Sequence, residues 1–264
     1  MLMTLANLTA IATYIGAAFG FARWPAPGQR RKLSLLLLAA ALAAHAVVLW
    51  STTVMADGLN FSVFNASSLV AWCIALAVLM LLLNLRPVES LAVTVLPLVA
   101  VAVGVEFAFP STRDVISNIS TGMRLHIAFA LVAYSLFAIA TLQALFLAFA
   151  DRKLRRHRPV LHFLPPLPAM EAVMFQLTLL AFVLLTVSLV LGAIYTADIR
   201  AQHLAHKIVF SVLAWLVFAM LVAGRWHFGW RGRHAVRYIT AGFALLALAF
   251  FGTKIVLELI LHKV

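Results

Sequence analysis

One cysteine, Cys73, stands in 264 residues, and it lies inside an apolar block. A disulfide, a CxxC redox pair, a cysteine-based zinc cluster and a CxxCH haem attachment are therefore excluded within the chain. A lone thiol in such a setting behaves as a small buried hydrophobe. Charge is scarce too. Asp, Glu, Lys and Arg make up 11% of the residues, and only 8 are acidic, where a soluble domain carries about a quarter charged residues. The acids are not paired within any expected helix, and neither a GxSxG nucleophile elbow nor a phosphate-binding glycine loop is present. With no catalytic constellation to assemble, the chain is not expected to be an enzyme. Nor does it hold an internal repeat, a low-complexity tract or a stretch able to fold as a separate soluble domain.

What is abundant is apolar. Hydrophobic residues make up 65% of the chain, in blocks close to the ~20 residues an α-helix needs to cross a bilayer core. The expected fold class is all-α: a polytopic membrane helix bundle of about eight transmembrane helices, one domain over 1–264. The expected spans are 4–22, 33–52, 66–85, 88–108, 123–150, 171–195, 205–224 and 236–262. Pro97 stands inside the fourth and predicts a kink, tolerated in a bilayer where neighbours re-satisfy the freed carbonyl.

Loop charges orient the bundle. Arg23, Arg30, Arg31, Lys32, Arg86, Arg152, Lys153, Arg155, Arg156, Arg158, Arg225, Arg231, Arg233 and Arg237 fall on one side. Only Arg113, Arg124, Arg200, Lys207, Lys254 and Lys263 fall on the other, a bias of fourteen to six. The basic side is cytoplasmic, so both termini are expected outside, in a multi-pass protein of the bacterial inner membrane. The net charge of +12 follows from this bias, and no nucleic-acid partner is expected. Residues 2–21 resemble a signal peptide in apolar content, but their basic cluster follows the apolar core instead of preceding it. A retained first helix is expected. Ser111 and Asp114 suggest the cap and first turn of a short outer surface helix within 109–122. The Pro-rich stretch from Pro159 to Pro168 is expected along the inner interface.

Polar groups at membrane depth cost a few kcal/mol each and are functional candidates by default. His45, in Ala43-Ala44-His45-Ala46-Val47, has no other polar side chain within a turn. It reads either as a core histidine bonded to a neighbour or as a haem-iron ligand. His126 lies one turn below the outer surface, His206 and His203 flank the start of the seventh helix, and His262 closes the eighth. Bis-histidine ligation needs two imidazoles from different helices at similar depth; His45 and His126 meet the depth condition as axial ligands if their helices are neighbours, and His126 with His262 is a shallower second pair. His157, His162, His227 and His234 fall in basic inner loops and read as solvated or bound to lipid headgroups. Lys254, Glu258 and His262 share one helix face at spacings of four. Lys254 either neutralises Glu258 or, like Arg124, pairs with a haem propionate. Trp50 and Trp72 read as interface anchors or bundle packing, and Trp226 and Trp230 as an inner interface belt.

The second half of the chain resembles the cytochrome c assembly protein family, membrane proteins of the CcsA and CcmC type that bind or move haem. The residues that carry the likeness are Leu125-His126, Ala133-Tyr134-Ser135-Leu136, Leu164-Pro165-Pro166-Leu167 ahead of Glu171, Ala214-Trp215-Leu216-Val217 and Gly229-Trp230-Arg231-Gly232-Arg233. The first three helices, with His45 and Asn65-Ala66-Ser67-Ser68, resemble the smaller YpjD- and HemX-type branch. The resemblance implies that His126 and His262 match the histidines flanking the family's haem-presenting loop. The tryptophan-rich segment of that loop is missing: Tyr195-Thr196-Ala197-Asp198-Ile199-Arg200 stands there, and Ala223 and Gly224 replace a further membrane histidine. What the likeness implies is thus a heme b-binding protein (His45, His126, His206, His262, Arg124 and Lys254) that supports or regulates haem handling or cytochrome biogenesis. Its partners are expected to be the lipid bilayer and haem-handling or transport membrane proteins. The alternative is a membrane accessory subunit of a transporter, with histidines that are purely structural.

Overall fold

A computed structural model describes residues 2–23, 28–55, 58–84, 88–110, 115–116, 120–155, 166–195 and 205–252. Eight helices long and apolar enough to cross a membrane account for nearly all of them, as an all-α polytopic bundle requires. The helices pack as two compact units, the first four in one and the last four in the other.

The first unit holds α1 (Leu2–Arg23), α2 (Gln29–Thr53), α3 (Val63–Leu83) and α4 (Glu89–Ala108). Helix α1 packs on α2 and α4, and α3 packs on the same two, so the four close a ring. Ala10, Tyr14, Ala17 and Phe21 form the buried stripe of α1 at helical spacing, while Leu5, Leu8, Ile15 and Phe19 face outward. Small residues let the backbones approach: a Cβ on Gly20 would collide with the Ser34 hydroxyl of α2. At the end that loop charge assigns to the cytoplasm, Arg31 reaches Glu89 of α4 at 3.2 Å and the Leu82 carbonyl of α3 at 3.2 Å. One guanidinium thus ties three helices together. Helix α4 continues as helix through Pro97.

At the opposite end three short strands pair antiparallel in the order β1 (Val54–Met55), β2 (Gly58–Asn60) and β3 (Val115–Ile116). Val115 and Ile116 face Asn60 and Leu59. The short helix expected within 109–122 is therefore corrected to a strand at these two residues; Ser111 and Asp114 lie outside the described residues. Strand pairing won because residues 58–60 offered a free edge to the returning chain.

The second unit holds α5 (Thr121–Arg155), α6 (Leu167–Tyr195), α7 (Ala205–Phe228) and α8 (Gly232–Ala247), with a π turn over Leu248–Gly252. Helix α5 packs on α6 and α8, and α7 packs on α6 and α8. Helix α5 runs to Arg155, past the expected end at 150, and the Arg155 guanidinium folds back one turn onto Asp151 at 2.9 Å. Phe137 and Phe218 stack with centroids 3.7 Å apart, and Gly242 leaves room for the Phe218 ring. The eighth helix is regular to Ala247 and described to Gly252; the end expected at 262 lies outside the described residues.

The Gly-Trp-Arg-Gly-Arg block turns the chain from α7 into α8. Gly229 and Gly232 have φ of +63° and +53°, left-handed values that favour glycine. The Trp230 N–H donates to the Gly224 carbonyl at 3.1 Å, and its indole rests where a Cβ on Gly224 would stand. Arg225 donates to the Trp230 carbonyl at 3.2 Å, lies 3.7 Å from Glu171 and sits 4.4 Å over the Phe175 ring. The block is a built corner as well as a basic loop.

Candidate functional site

The candidate histidines divide between the two units. His45, on α2, is wholly buried. The Tyr14 hydroxyl of α1 lies 3.2 Å from its Nδ1, and the Ser68 hydroxyl of α3 lies 2.9 Å from its Nε2. The Tyr14 ring also meets the imidazole edge-on at 5.8 Å. A neutral imidazole has one donor and one acceptor nitrogen, and hydroxyls can serve either, so both ring nitrogens are satisfied. The axial role expected of His45 therefore meets a ring with no free nitrogen. An iron there would have to displace Tyr14 or Ser68.

His126 is held differently. It lies in the second turn of α5, half-buried, and its Nδ1 is 2.7 Å from the Ser188 main-chain carbonyl of α6. A carbonyl only accepts, so Nδ1 carries the proton and donates, and the lone pair falls on Nε2. The Ser188 hydroxyl donates to the His126 carbonyl at 3.1 Å and lies 3.1 Å from Nδ1. Nε2 has no hydrogen-bond partner among the described residues. Gly192, one turn on from Ser188, makes the seat: a Cβ there would come within 2.9 Å of the imidazole Cε1. A histidine oriented through Nδ1–H by a main-chain carbonyl, with Nε2 left over, is the arrangement that metal-ligating histidines adopt.

The other expected residues are less complete. Arg124 is exposed in the first turn of α5, on the helix that carries His126, and makes no ion pair among the described residues. His206 stands in the first turn of α7, its side chain outside the description; Lys254 and His262 lie outside the described residues altogether. Among the described residues no group of three or more His, Cys, Asp or Glu could hold a metal ion.

One residue escaped the sequence reading. Glu106, on α4, is 5% exposed. Its Oε1 accepts from the Thr52 hydroxyl of α2 at 2.7 Å. Oε2 is buried with no partner among the described residues. Asn65 joins the cluster through Thr52 at 3.0 Å, Thr53 at 3.2 Å and the Asn60 carbonyl. The signal was present as a lone acid in the apolar run Gly104-Val105-Glu106-Phe107. Pairing within one helix does not reveal such an acid, because its partner comes from α2.

The family described as cytochrome C assembly protein matches residues 33–261. The inner membrane protein YpjD of Escherichia coli (strain K12) is 32% identical over 241 residues, covering 88% of this chain and 89% of that protein. An uncharacterized 28.8 kDa protein in the nifR3-like 5′ region of Azospirillum brasilense is 30% identical over 141 residues, 52% of each chain. No solved structure matches. A helix bundle of eight apolar spans, a family match over most of its length and a relative of almost equal extent agree: the chain is a multi-pass inner-membrane protein and belongs to the cytochrome c assembly protein family.

Proposed function

We propose that this protein binds heme b at the outer end of its second unit and supports or regulates haem handling or cytochrome biogenesis, without catalysing a reaction. The observation that carries this reading is the His126 imidazole, pinned through Nδ1 by the Ser188 carbonyl with Nε2 unengaged among the described residues. His126 Nε2 is the proposed axial ligand, and Arg124 is the proposed partner of a propionate. His206 and His262 are candidates for the second axial position, and Lys254 for a second propionate. A bound haem would supply an iron able to take or give one electron; the protein's part is to hold the imidazole, fix its tautomer and exclude water. His45 is assigned instead to the hydrogen-bonded core of the first unit.

The experiment is an absorption spectrum of the whole protein purified from haem-replete cells, followed by titration with haemin. A Soret band that disappears in His126→Ala and survives in folded His45→Gln is expected. A well-folded protein that is colourless and gains no band with haemin would overturn haem binding. That outcome would favour the accessory-subunit reading, which the doubly bonded His45 already suits.

A further inference from the structure

We propose that a cleft between α5 and α8 binds the phosphate group of an anionic phospholipid, at the end of the second unit that loop charge assigns to the cytoplasm. The cleft has a volume of about 200 Å³ and is lined by Ala148, Asp151 and Arg152 of α5 and by Arg233, Val236 and Arg237 of α8. The two helices pack directly on each other. Helix α8 buries Ala235, Ile239, Gly242 and Leu246, and leaves Arg233 and Arg237 exposed one turn apart. The short side chains of Ala148 and Val236 keep the space between the arginines open.

Charge accounting identifies what the cleft lacks. Three guanidinium groups line it beside one carboxylate. That carboxylate is already engaged: Arg155 Nε lies 3.1 Å from Asp151 Oδ1 and 2.9 Å from Oδ2, and Arg233 Nε lies 3.8 Å from Oδ2. Arg152 and Arg237 have no ion pair or hydrogen bond among the described residues. Arg233 and Arg237 also stand four apart on one helix, a like-charge spacing that costs stability when no anion lies between them. An anion seated in the cleft would remove that repulsion and give the two unpaired guanidinium groups an acceptor. The planar fork of Arg matches the oxygens of a phosphate, which a compact ammonium does not.

The level of the cleft in the bundle selects the carrier of that phosphate. Both helices are long and apolar enough to cross a membrane, and the cleft sits where each reaches its basic end. Along α5, Ala148 stands one turn before Arg152, toward the hydrocarbon, and Leu145 and Phe149 on that stretch are exposed, as lipid-facing residues are. Cations at the watery end and apolar residues at the hydrocarbon end fit a headgroup with its acyl chains attached. Basic pockets between membrane helices on the cytoplasmic side take anionic headgroups by this chemistry. Inorganic phosphate shares the charge but brings nothing for the apolar end. His126 stands near the opposite end of α5, so this site does not depend on haem.

The test uses the whole protein in a neutral detergent, with bound lipid counted by native mass spectrometry. The probes are phosphatidylglycerol, a diacylglycerol with the same acyl chains and no phosphate, and inorganic phosphate. Phosphatidylglycerol is expected to bind and diacylglycerol is not. Arg152→Gln and Arg237→Gln should each weaken phosphatidylglycerol binding roughly fivefold. Arg231→Gln, which removes the same charge from the same end but outside the cleft, should leave binding nearly unchanged. Ala148→Leu, which narrows the cleft and keeps every charge, should weaken it as well. If Ala148→Leu does not fold, the exposed Arg152→Gln and Arg237→Gln decide against Arg231→Gln. Equal losses in Arg231→Gln and the cleft variants would reduce the effect to general surface charge and overturn the proposal. Inorganic phosphate held as tightly as the lipid, or lipid binding undiminished in the double variant Arg152→Gln with Arg237→Gln, would overturn it too.

Discussion

His45 and His126 each rest on a serine of a neighbouring helix, yet the two serines do different things. Ser68 offers His45 its side-chain hydroxyl, and Tyr14 closes the other nitrogen. Ser188 offers His126 its main-chain carbonyl and leaves Nε2 over. A hydroxyl can take either role in a hydrogen bond, so it permits either tautomer; a carbonyl permits only one. The first imidazole is thus enclosed, with either tautomer allowed. The second is fixed in its tautomer, with Nε2 unengaged among the described residues. Residue type alone does not distinguish a structural histidine from a binding one; the partner of each nitrogen does.

The largest break in this comparison should come from His45→Ala. It empties a fully buried site and strands two hydroxyls, Tyr14 and Ser68, that have lost their partner. The expected loss is about 3 kcal/mol of stability, against about 1 kcal/mol for the half-buried His126→Ala. Thermal unfolding in detergent, followed by tryptophan fluorescence, measures both. Equal losses would mean that the first imidazole is no more deeply committed to packing than the second.

A smaller contrast lies at the cytoplasmic ends. Arg31 and Glu89 are 11% and 18% exposed and 3.2 Å apart, whereas Arg225 and Glu171 are 27% and 19% exposed and 3.7 Å apart. Arg31→Ala leaves a mostly buried carboxylate and an unpaired Leu82 carbonyl, and should cost about 2 kcal/mol after discounting for partial solvation. Arg225→Ala should cost about half as much, much of it from the lost contact with the Phe175 ring. A urea titration of each variant would show the order, and a reversal would point to the Gly-Trp-Arg-Gly-Arg corner as the more strongly held end.

Much of the frame was legible beforehand because apolar length is a local property. Eight spans were expected and eight are present, since each block must reach across the hydrocarbon by itself. Element ends were less legible. Helix α5 runs on to Arg155 because Lys and Arg are good helix formers and Asp151 pairs with Arg155 one turn away. The sheet at the outer end could not be read, because Val115 and Ile116 pair with residues nearly sixty positions earlier. His45 stood out as a costly polar residue in an apolar helix, which it is. Whether it was core or ligand was unreadable, for its partners are 31 and 23 residues away. The glycines of Gly-Trp-Arg-Gly-Arg were quoted as a family mark, and their left-handed φ gives them a physical reason.

Gly192→Ala sharpens the second site. A methyl group there would stand 2.9 Å from His126 Cε1, so the ring must swing or α6 must retreat. The expected cost is about 1–2 kcal/mol, with weakened haemin binding in the same titration that tests His126. Unchanged haemin affinity with a displaced ring would separate the seat from the ligand.

The smallest effect should belong to Ser188→Ala, and its smallness is informative. The substitution removes a hydroxyl that donates to the His126 carbonyl, yet it leaves the main-chain carbonyl that fixes Nδ1. Stability should fall by less than about 1 kcal/mol, and the haemin spectrum should match wild type. Ser68→Ala, the equivalent deletion in the first unit, removes the sole hydrogen-bond partner described for His45 Nε2 and should cost more. A Ser188→Ala protein that loses its Soret band would show that the hydroxyl, not the carbonyl, orients His126. Nε2 would then not be free for iron, because a hydroxyl could donate to Nδ1 and leave the proton on Nε2.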